Sequence, residues 1–488
     1  RATSRYRTHA HRRTMKRKFL ILLLVFCLLA AYGQDMQRFA ERSCIGTARY
    51  VGMGGAMTAI GGDPSAAMDN PAGLGLYRRS EISVSVDGTW DYTQQHESKQ
   101  GYQRSRFTLP QVSAIWSSGD PNKQKGLIYS NLMFTMNRIH NYNRDLLVSG
   151  RNTGMLPTIC TKTNGLPKSN LANLPWDDEE IGWLSILGYE GYLINPADND
   201  MWEPALKFTD GELKINENGS SDQYTLSWAG NINNQWYIGA SLNIPTINYT
   251  KYVSLVESDR KNSAELKSMF HVSGVGISAS IGLLARPVEW LRIGASVQTP
   301  TELTLSLQTE GDMYSTVNGT EYEVLTPASG SISTTYVSPM RTSISIAGQR
   351  KNIGMLALQY DYAHAFKDKE ANVSPMQDIH TLKAGLEVHM NNSLFLNAGY
   401  VYESSFSKED PVVALNYNSI RTDTDYRFTQ SSQYASLGIG YRSHFLVAQV
   451  AYQFGWQEIN QYATEHQADA FKLNTNTHRI VCTLAWRI

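Results

Sequence analysis

From residue 80 onward, apolar and polar residues alternate along the chain in long runs separated by turn residues. A period of two is the mark of a strand whose two faces meet different surroundings. Fourteen such runs are found, at 80–92, 105–117, 125–138, 223–232, 235–255, 267–285, 289–308, 333–349, 353–367, 378–391, 393–407, 427–442, 445–459 and 473–488. In the first, Ile82, Val84, Val86, Trp90 and Tyr92 share a face; in the fifth, Trp236, Ile238, Ala240, Leu242 and Ile244 do. The last run places His478, Ile480, Cys482, Leu484, Trp486 and Ile488 on one side and Arg479, Val481, Thr483, Ala485 and Arg487 on the other. An apolar, aromatic outside with Arg and Thr inside is the logic of a barrel in lipid, where Arg on the lipid face costs ~2–4 kcal/mol at midplane.

The connections sort by length. Short turns at 118–124, 233–234, 286–288, 350–352, 391–392 and 443–444 alternate with longer loops at 93–104, 139–222, 256–266, 309–332, 368–377, 408–426 and 460–472. A barrel inserted from one side of a membrane has this asymmetry, with short periplasmic turns and long outer loops. The fold class expected is all-β: a fourteen-stranded antiparallel transmembrane β-barrel over 80–488. An even strand number leaves both termini on the periplasmic side of an outer membrane.

Before the first strand lies a stretch of different character. Residues 46–77, GTARYVGMGGAMTAIGGDPSAAMDNPAGLGLY, are dense in Gly and Ala and poor in charge. Small residues let backbone press against backbone. A short helix is expected over Arg49–Ile60, weakened by its glycines. A second is expected over Ser65–Met68, with Asp63 as N-cap and Pro64 at its first position. Asn70 before Pro71 is forced out of the helical region. Such a segment needs a surrounding wall, so residues 34–79 are expected to form an N-terminal hatch that plugs the lumen.

Residues 1–33 have the build of an export leader: an upstream extension, Met15, basic Lys16-Arg17-Lys18, an apolar run Phe19–Ala30, and small residues that predict cleavage after Gly33. Composition then changes the picture in one respect. The whole chain is neutral, but eight of its 44 basic residues and none of its 44 acidic ones precede residue 34, leaving 36 against 44. A nucleic-acid partner is not expected of so acidic a chain. With 37 Gly, 27 Tyr and 10 Trp, twisted sheet with aromatic girdles is favoured.

The long loop 139–222 holds an acidic, Trp-containing patch, Trp176-Asp177-Asp178-Glu179-Glu180. A helix over Asp177–Gly188 is expected there, exposing Ile181, Trp183, Leu184 and Leu187. Trp176, Trp183, Leu184 and Leu187 are the candidate residues for first capture of a ligand. The same segment is a candidate site for a protein partner.

No catalytic constellation is present. There is no GxSxG, HExxH or P-loop, and the glycines at 52, 54 and 55 follow no strand. Histidines are scattered singly, and no Cys pair has ligand spacing. No enzyme activity, cofactor or metal site is expected.

The hatch stretch ending in Asn70-Pro71-Ala72-Gly73-Leu74, followed at once by the first strand, resembles the FadL-type family of outer-membrane transport proteins. The resemblance implies a hatch inside a fourteen-stranded barrel, with Asn70, Pro71, Ala72 and Gly73 as the hatch signature. It also implies passive uptake of small hydrophobic molecules, such as long-chain fatty acids, that leave laterally through the wall into outer-membrane lipid. The GMGGA…D…NPA pattern is also similar to the barrel that shuttles cargo in the type IX secretion system of Bacteroidetes, which implies an interaction protein instead.

Overall fold

Fourteen antiparallel strands close into a barrel in the computed structural model, which describes residues 38–39, 41–97, 101–123, 125–151, 153–172, 174–178, 180–364, 377–405, 409 and 420–488. The expected leader with its cleavage site, and Glu179 of the acidic patch, lie outside the described residues. In chain order the strands are β1 (Glu81–Gln95), β2 (Gly101–Gly119), β3 (Leu127–Asn141, resumed at Arg144–Arg151), β4 (Asp210–Ile232), β5 (Trp236–Ser258), β6 (Ser263–Val288) and β7 (Leu291–Gln298, resumed at Glu302–Val317). They continue as β8 (Ile332–Val337 and Met340–Arg350), β9 (Gly354–His364), β10 (Ile379–His389), β11 (Leu394–Glu403), β12 (Tyr426–Arg442), β13 (Leu446–Tyr462) and β14 (Phe471–Arg487). The last strand pairs with the first from Arg487 opposite Glu81 to Leu473 opposite Gln95, so the sheet has no terminal edge.

A continuous belt of large apolar side chains is exposed around the outside. It includes Ile82 and Val84 on β1, Leu226 and Trp228 on β4, Ile238 and Leu242 on β5, Leu356 and Leu358 on β9, Leu437 and Ile439 on β12, and Leu484 and Trp486 on β14. In water such a belt would drive aggregation, whereas in a bilayer it is the lipid contact. The residues between them point inward and are polar: Ser83, Ser85, Gln111, Ser113, Thr225, Ser227, Asn243, Arg479 and Thr483 are all buried. The short turns lie at one end. Asn233-Asn234, both with positive φ (57° and 55°), forms the tight hairpin expected between β4 and β5.

Above the belt the structure departs from the sequence expectation. Strands β4, β5 and β6 run to 23, 23 and 26 residues; β4 climbs through 210–222, read as loop, while β5 and β6 pass their expected ends by a few residues. The alternation inverts on the way up. On β4 the outward residues change from Tyr224, Leu226 and Trp228 to Glu212, Lys214 and Asn216, while the inward ones change from Thr225 and Ser227 to Leu213 and Ile215. Lipid lies outside the lower half; water lies outside the upper half, and protein inside it.

That protein is a helical cap, and it corrects the reading of 139–222 as one long loop. Arg144–Arg151 and the first part of β4 are strand; between them lie α3 (Met155–Thr163), α4 (Lys168–Leu171) and α5 (Trp183–Glu190), with a two-stranded piece pairing Ile194–Pro196 with Trp202–Pro204. The numbering follows α1 (Ala48–Gly52) and α2 (Ala66–Asp69) of the hatch. The start of α3 is tied to the tall wall by Glu257 of β5, whose Oε1 accepts from the Thr153 amide (2.8 Å) and the Met155 amide (3.1 Å).

Candidate functional site: the plugged lumen and the seam in its wall

The hatch fills the short-turn half of the lumen. Its first helix is only α1, shorter than the expected Arg49–Ile60, because Gly54 and Gly55 turn the chain with φ of 60° and 66°. Asp63 caps the start of the second helix, its Oδ1 accepting from the Ser65 (2.9 Å) and Ala66 (3.3 Å) amides. Asn70 is extended (φ −139°, ψ 103°), and Pro71 opens a 3₁₀ turn running to Leu76.

Asn70, Pro71, Ala72 and Gly73 come together where hatch meets wall. The Asn70 amide donates to the Thr58 carbonyl within the hatch (2.8 Å) and to the Leu283 carbonyl of β6 (3.2 Å). Its Oδ1 accepts from the Ala72 amide (3.0 Å). The wall makes room with glycine. A Cβ on Gly282 would collide with the Asn70 side-chain oxygen, and one on Gly239 with the Pro71–Ala72 backbone. Gly73 presses on Gly61 and accepts the Gly62 amide (3.0 Å), which holds the two turns of the hatch together.

Opposite charges from β10 receive the other side of the hatch. Arg49 of α1 reaches Glu387 (2.7 Å), and Asp69 of α2 faces Lys383 (3.8 Å), which also pairs with Asp361 on β9 (2.7 Å). These wall residues do not stand out in the sequence by any motif. Their signal is two charges four apart on the face of a strand whose other face is Leu382 and Leu386.

Above the hatch the lumen holds a cavity of about 130 Å³ and a second of about 80 Å³ beside it. Arg42 and Glu403 line both. The larger is a charged chamber. Arg38, Arg42, Arg104, Arg106, Arg144, Arg427 and Arg479 line it against Glu41, Asp91, Asp145, Glu217 and Glu403. Glu217 is the hub, held by Arg38 (3.1 Å), Arg144 (2.5 Å) and the Tyr249 hydroxyl (2.7 Å).

One flank of this chamber is a seam in the wall. Strand β2 pairs with β1 along its length, from Ile115 opposite Glu81 to Gly101 opposite Gln94. With β3 it pairs only from Gly119 opposite Tyr129 to Gln111 opposite Asn137. Residues 101–110 have no ladder on that side among the described residues. Pro110, which carries no N–H, stands where the ladder stops. Across from it β3 slips register between Arg138 and His140, breaks at Tyr142-Asn143, and resumes with Arg144 opposite Glu217. Side chains bridge the gap instead of backbone. Arg104 donates to Asp145 (3.0 Å), to the Glu217 carbonyl (3.2 Å) and to Asn218 Oδ1 (2.5 Å); Arg106 pairs with Asp91 and reaches the Asn143 carbonyl (3.4 Å). Outside the seam, Phe107 is 80% exposed. The seam begins nine residues above the turn end of β2, or ~20–25 Å up at ordinary rise and tilt, near the outer limit of an apolar band ~25 Å tall.

The cap residues are placed differently from expectation. The helix begins at Trp183 rather than Asp177, and Ile181, Trp183, Leu184 and Leu187 are buried, not exposed. They form one apolar core with Met155, Leu156 and Ile159 of α3 and with Val253 and Leu255 of the tall wall. Trp176 lies against this core, edge-on to Trp183 at 5.8 Å, and its carbonyl accepts the Trp183 indole N–H (3.0 Å). The reason is the inversion seen above: apolar residues at this height have protein, not lipid, to pack against.

No protein-family model and no curated protein matches the chain. Solved structures do. A Pseudomonas aeruginosa FadL homologue superposes with a TM-score of 0.51 at 10% identity, covering 92% of this chain and 99% of that one. The Pseudomonas putida toluene transporter TodX gives 0.50 at 12% identity, covering 92% and 99%. The fold is the FadL-type barrel. At these identities the likeness is one of architecture. Within the FadL-type fold, this chain plugs the short-turn half of its lumen with the hatch, carries a side-chain-bridged seam from Pro110 upward, and crowns its tall wall with a packed helical cap.

Proposed function

We propose that this is an outer-membrane channel for passive uptake of small hydrophobic molecules, with long-chain fatty acids or similar amphiphiles as cargo. The observation that carries it is the seam between β2 and β3, where side chains alone, Arg104 and Arg106 among them, separate the luminal chamber from the outside, while the hatch fills the lumen below. A filled lumen offers a polar solute no wet path, whereas an apolar chain entering lipid gains ~25 cal/mol per Å² removed from water. The surplus of arginine around the chamber favours cargo with an acidic head over a plain hydrocarbon. Likeness to solved hydrocarbon and FadL-type channels is consistent with the reading. Hatch movement would open the chamber, and Arg104 and Arg106 would let go of the β3 side as cargo leaves.

The test is paired. Liposomes carrying the protein are expected not to swell in sugars, while the purified protein retains a fluorescent fatty acid that oleate displaces. Rapid sugar permeation without fatty-acid binding refutes the reading. A second reading, that the barrel presents the cap to a protein partner, is favoured by one observation: Leu174 and Tyr192 stand exposed on the cap, both with positive φ (53° and 55°). A cap-deleted barrel that still takes up fatty acid but loses a co-purifying protein supports it.

A further inference from the structure

Four neighbouring short turns, between β2 and β9, form an arc of positive charge at the foot of the barrel. The turn between β2 and β3 exposes Lys123 and Lys125, and the turn between β8 and β9 exposes Arg350 and Lys351. Arg286 stands where β6 turns toward β7. Against these five cations the four turns hold two carboxylates, Asp120 and Glu289. From residue 34 on, the chain has 36 basic residues against 44 acidic ones, so the balance is reversed here. None of the five makes an ion pair among the described residues. The other two short turns, Asn391-Asn392 and Ser443-His444, hold neither Lys nor Arg.

The arc is held at one level, and that level is the edge of the apolar belt. The Gly126 amide donates to Asn233 Oδ1 (2.6 Å), the Arg286 amide to the Gln235 carbonyl (2.7 Å) and the Gln349 amide to the Trp290 carbonyl (2.8 Å), which fastens each turn to the next. Leu127 follows Lys125 by two residues, Val288 follows Arg286 by two, and Ile353 follows Lys351 by two; all three are exposed, as are Trp236 and Trp290. Tryptophan settles where hydrocarbon meets water. A cation two residues from such an anchor stands up to ~7 Å away. The headgroup layer is itself ~5–8 Å deep.

We infer that this arc is a docking surface for anionic phospholipid in the leaflet at the short-turn end. Lys123, Lys125, Arg350 and Lys351 take the phosphodiester of a headgroup that has no amine of its own, phosphatidylglycerol being the simplest. The inference is independent of what the barrel carries. Position decides for lipid over an acidic protein. A protein partner needs cations on a surface that faces water, whereas these alternate with side chains that belong in hydrocarbon. One lipid touches both, its acyl chains on Ile353 or Trp290 and its phosphate on the neighbouring cation. A zwitterionic lipid gains less, because its own ammonium already neutralises the phosphate.

The test uses the full-length protein in phosphatidylcholine vesicles, with spin-labelled phosphatidylglycerol and spin-labelled phosphatidylcholine as probes. The fraction of each probe slowed at the protein surface gives their relative affinity. A cation near an anionic head is worth about fivefold, which averages to about twofold over all the lipid around the barrel. Wild type should show that preference, and lose it in about 1 M salt, where screening acts beyond ~3 Å. The fourfold variant Lys123→Gln, Lys125→Gln, Arg350→Gln, Lys351→Gln should draw both probes alike. Lys214→Gln with Lys261→Gln, exposed cations at the cap end, should keep the wild-type preference. Folding is checked by the heat-dependent gel mobility of the barrel. Should the fourfold variant fail that check, its two halves, each expected to lose part of the preference, decide. A wild type that draws both probes alike overturns the surface, as does a preference that survives the four substitutions or high salt. A wild type without lipid preference that retains polyglutamate through these four residues gives the arc to an acidic protein and overturns it too.

Discussion

Asn70 does three jobs with one amide, and each has a replacement cost. Its Nδ2 serves two carbonyls, one of the hatch and one of the wall, and its Oδ1 closes the turn on Ala72. Truncation to Ala leaves buried backbone groups unpaired at ~1–3 kcal/mol each. We expect Asn70→Ala with Pro71→Ala to loosen the plug and raise single-channel conductance in planar bilayers while heat-modifiable mobility stays normal. The complementary change is Gly282→Ala. Its Cβ occupies the place of the Asn70 oxygen, so it should raise conductance alone and add little on top of Asn70→Ala, since both break the same contact. Equal conductance in all of these proteins would remove the anchoring role. At the seam, Arg104 and Arg106 are part-exposed pairs, each worth ~0.2–1 kcal/mol. The Arg104→Ala, Arg106→Ala double variant is therefore expected to speed fatty-acid uptake by a few-fold rather than abolish it.

Among the elements, the cap is the one most open to independent test. Its core is mainly apolar, with Thr158, Thr163 and Ser185 buried among the aliphatic and aromatic side chains, and Leu187 has no exposed surface. Leu187→Ala should cost the cap ~2–5 kcal/mol. Cys160 reports on this. Burial, with Glu203 adding, pushes its thiol up to about 11, so little thiolate exists at pH 8. In protein with Cys44 and Cys482 replaced by Ser, maleimide should label Cys160 slowly, and at least tenfold faster after Leu187→Ala, with barrel mobility unchanged. Fast labelling of the parent would contradict a folded cap.

The strand elements were legible in the sequence because lipid imposes a strict alternation. Ile82-Val84-Val86 and Ile480-Leu484-Trp486 lie where the pattern put them. Asn70 leaves the helical region as Pro71 after it requires. The cap was not legible. Leu213 and Ile215 alternate as well as Leu226 and Trp228 do, but with the opposite face buried, and a rule built for lipid reads that inversion as loop. The same blindness turned Trp183, Leu184 and Leu187 outward. The seam had a signal in Pro110, inside a run otherwise read as strand, but locating it also needs the slip in β3, which only pairing reveals.

At the scale of the whole molecule, the barrel is divided by height. Hatch and ion pairs occupy the short-turn half, the charged chamber and seam lie at the level where the apolar belt ends, and the cap stands above. A molecule built this way should pass no bulk water, and the liposome experiment reads that directly. Its walls are unequal, however. Strands β4 to β6, 23 to 26 residues long, rise roughly 60 Å at ordinary rise and tilt, while the apolar band takes up roughly 25 Å. For a barrel in the outer membrane, that difference carries the wall out among the sugars that coat the cell surface. Such a coat is a wet thicket that oily molecules cross poorly, and under the uptake reading proposed above the tall wall would be a windbreak through it, receiving cargo above the thicket and delivering it at the root. Cells stripped of their long surface sugars should therefore lose little when this gene is deleted, whereas fully coated cells should lose much.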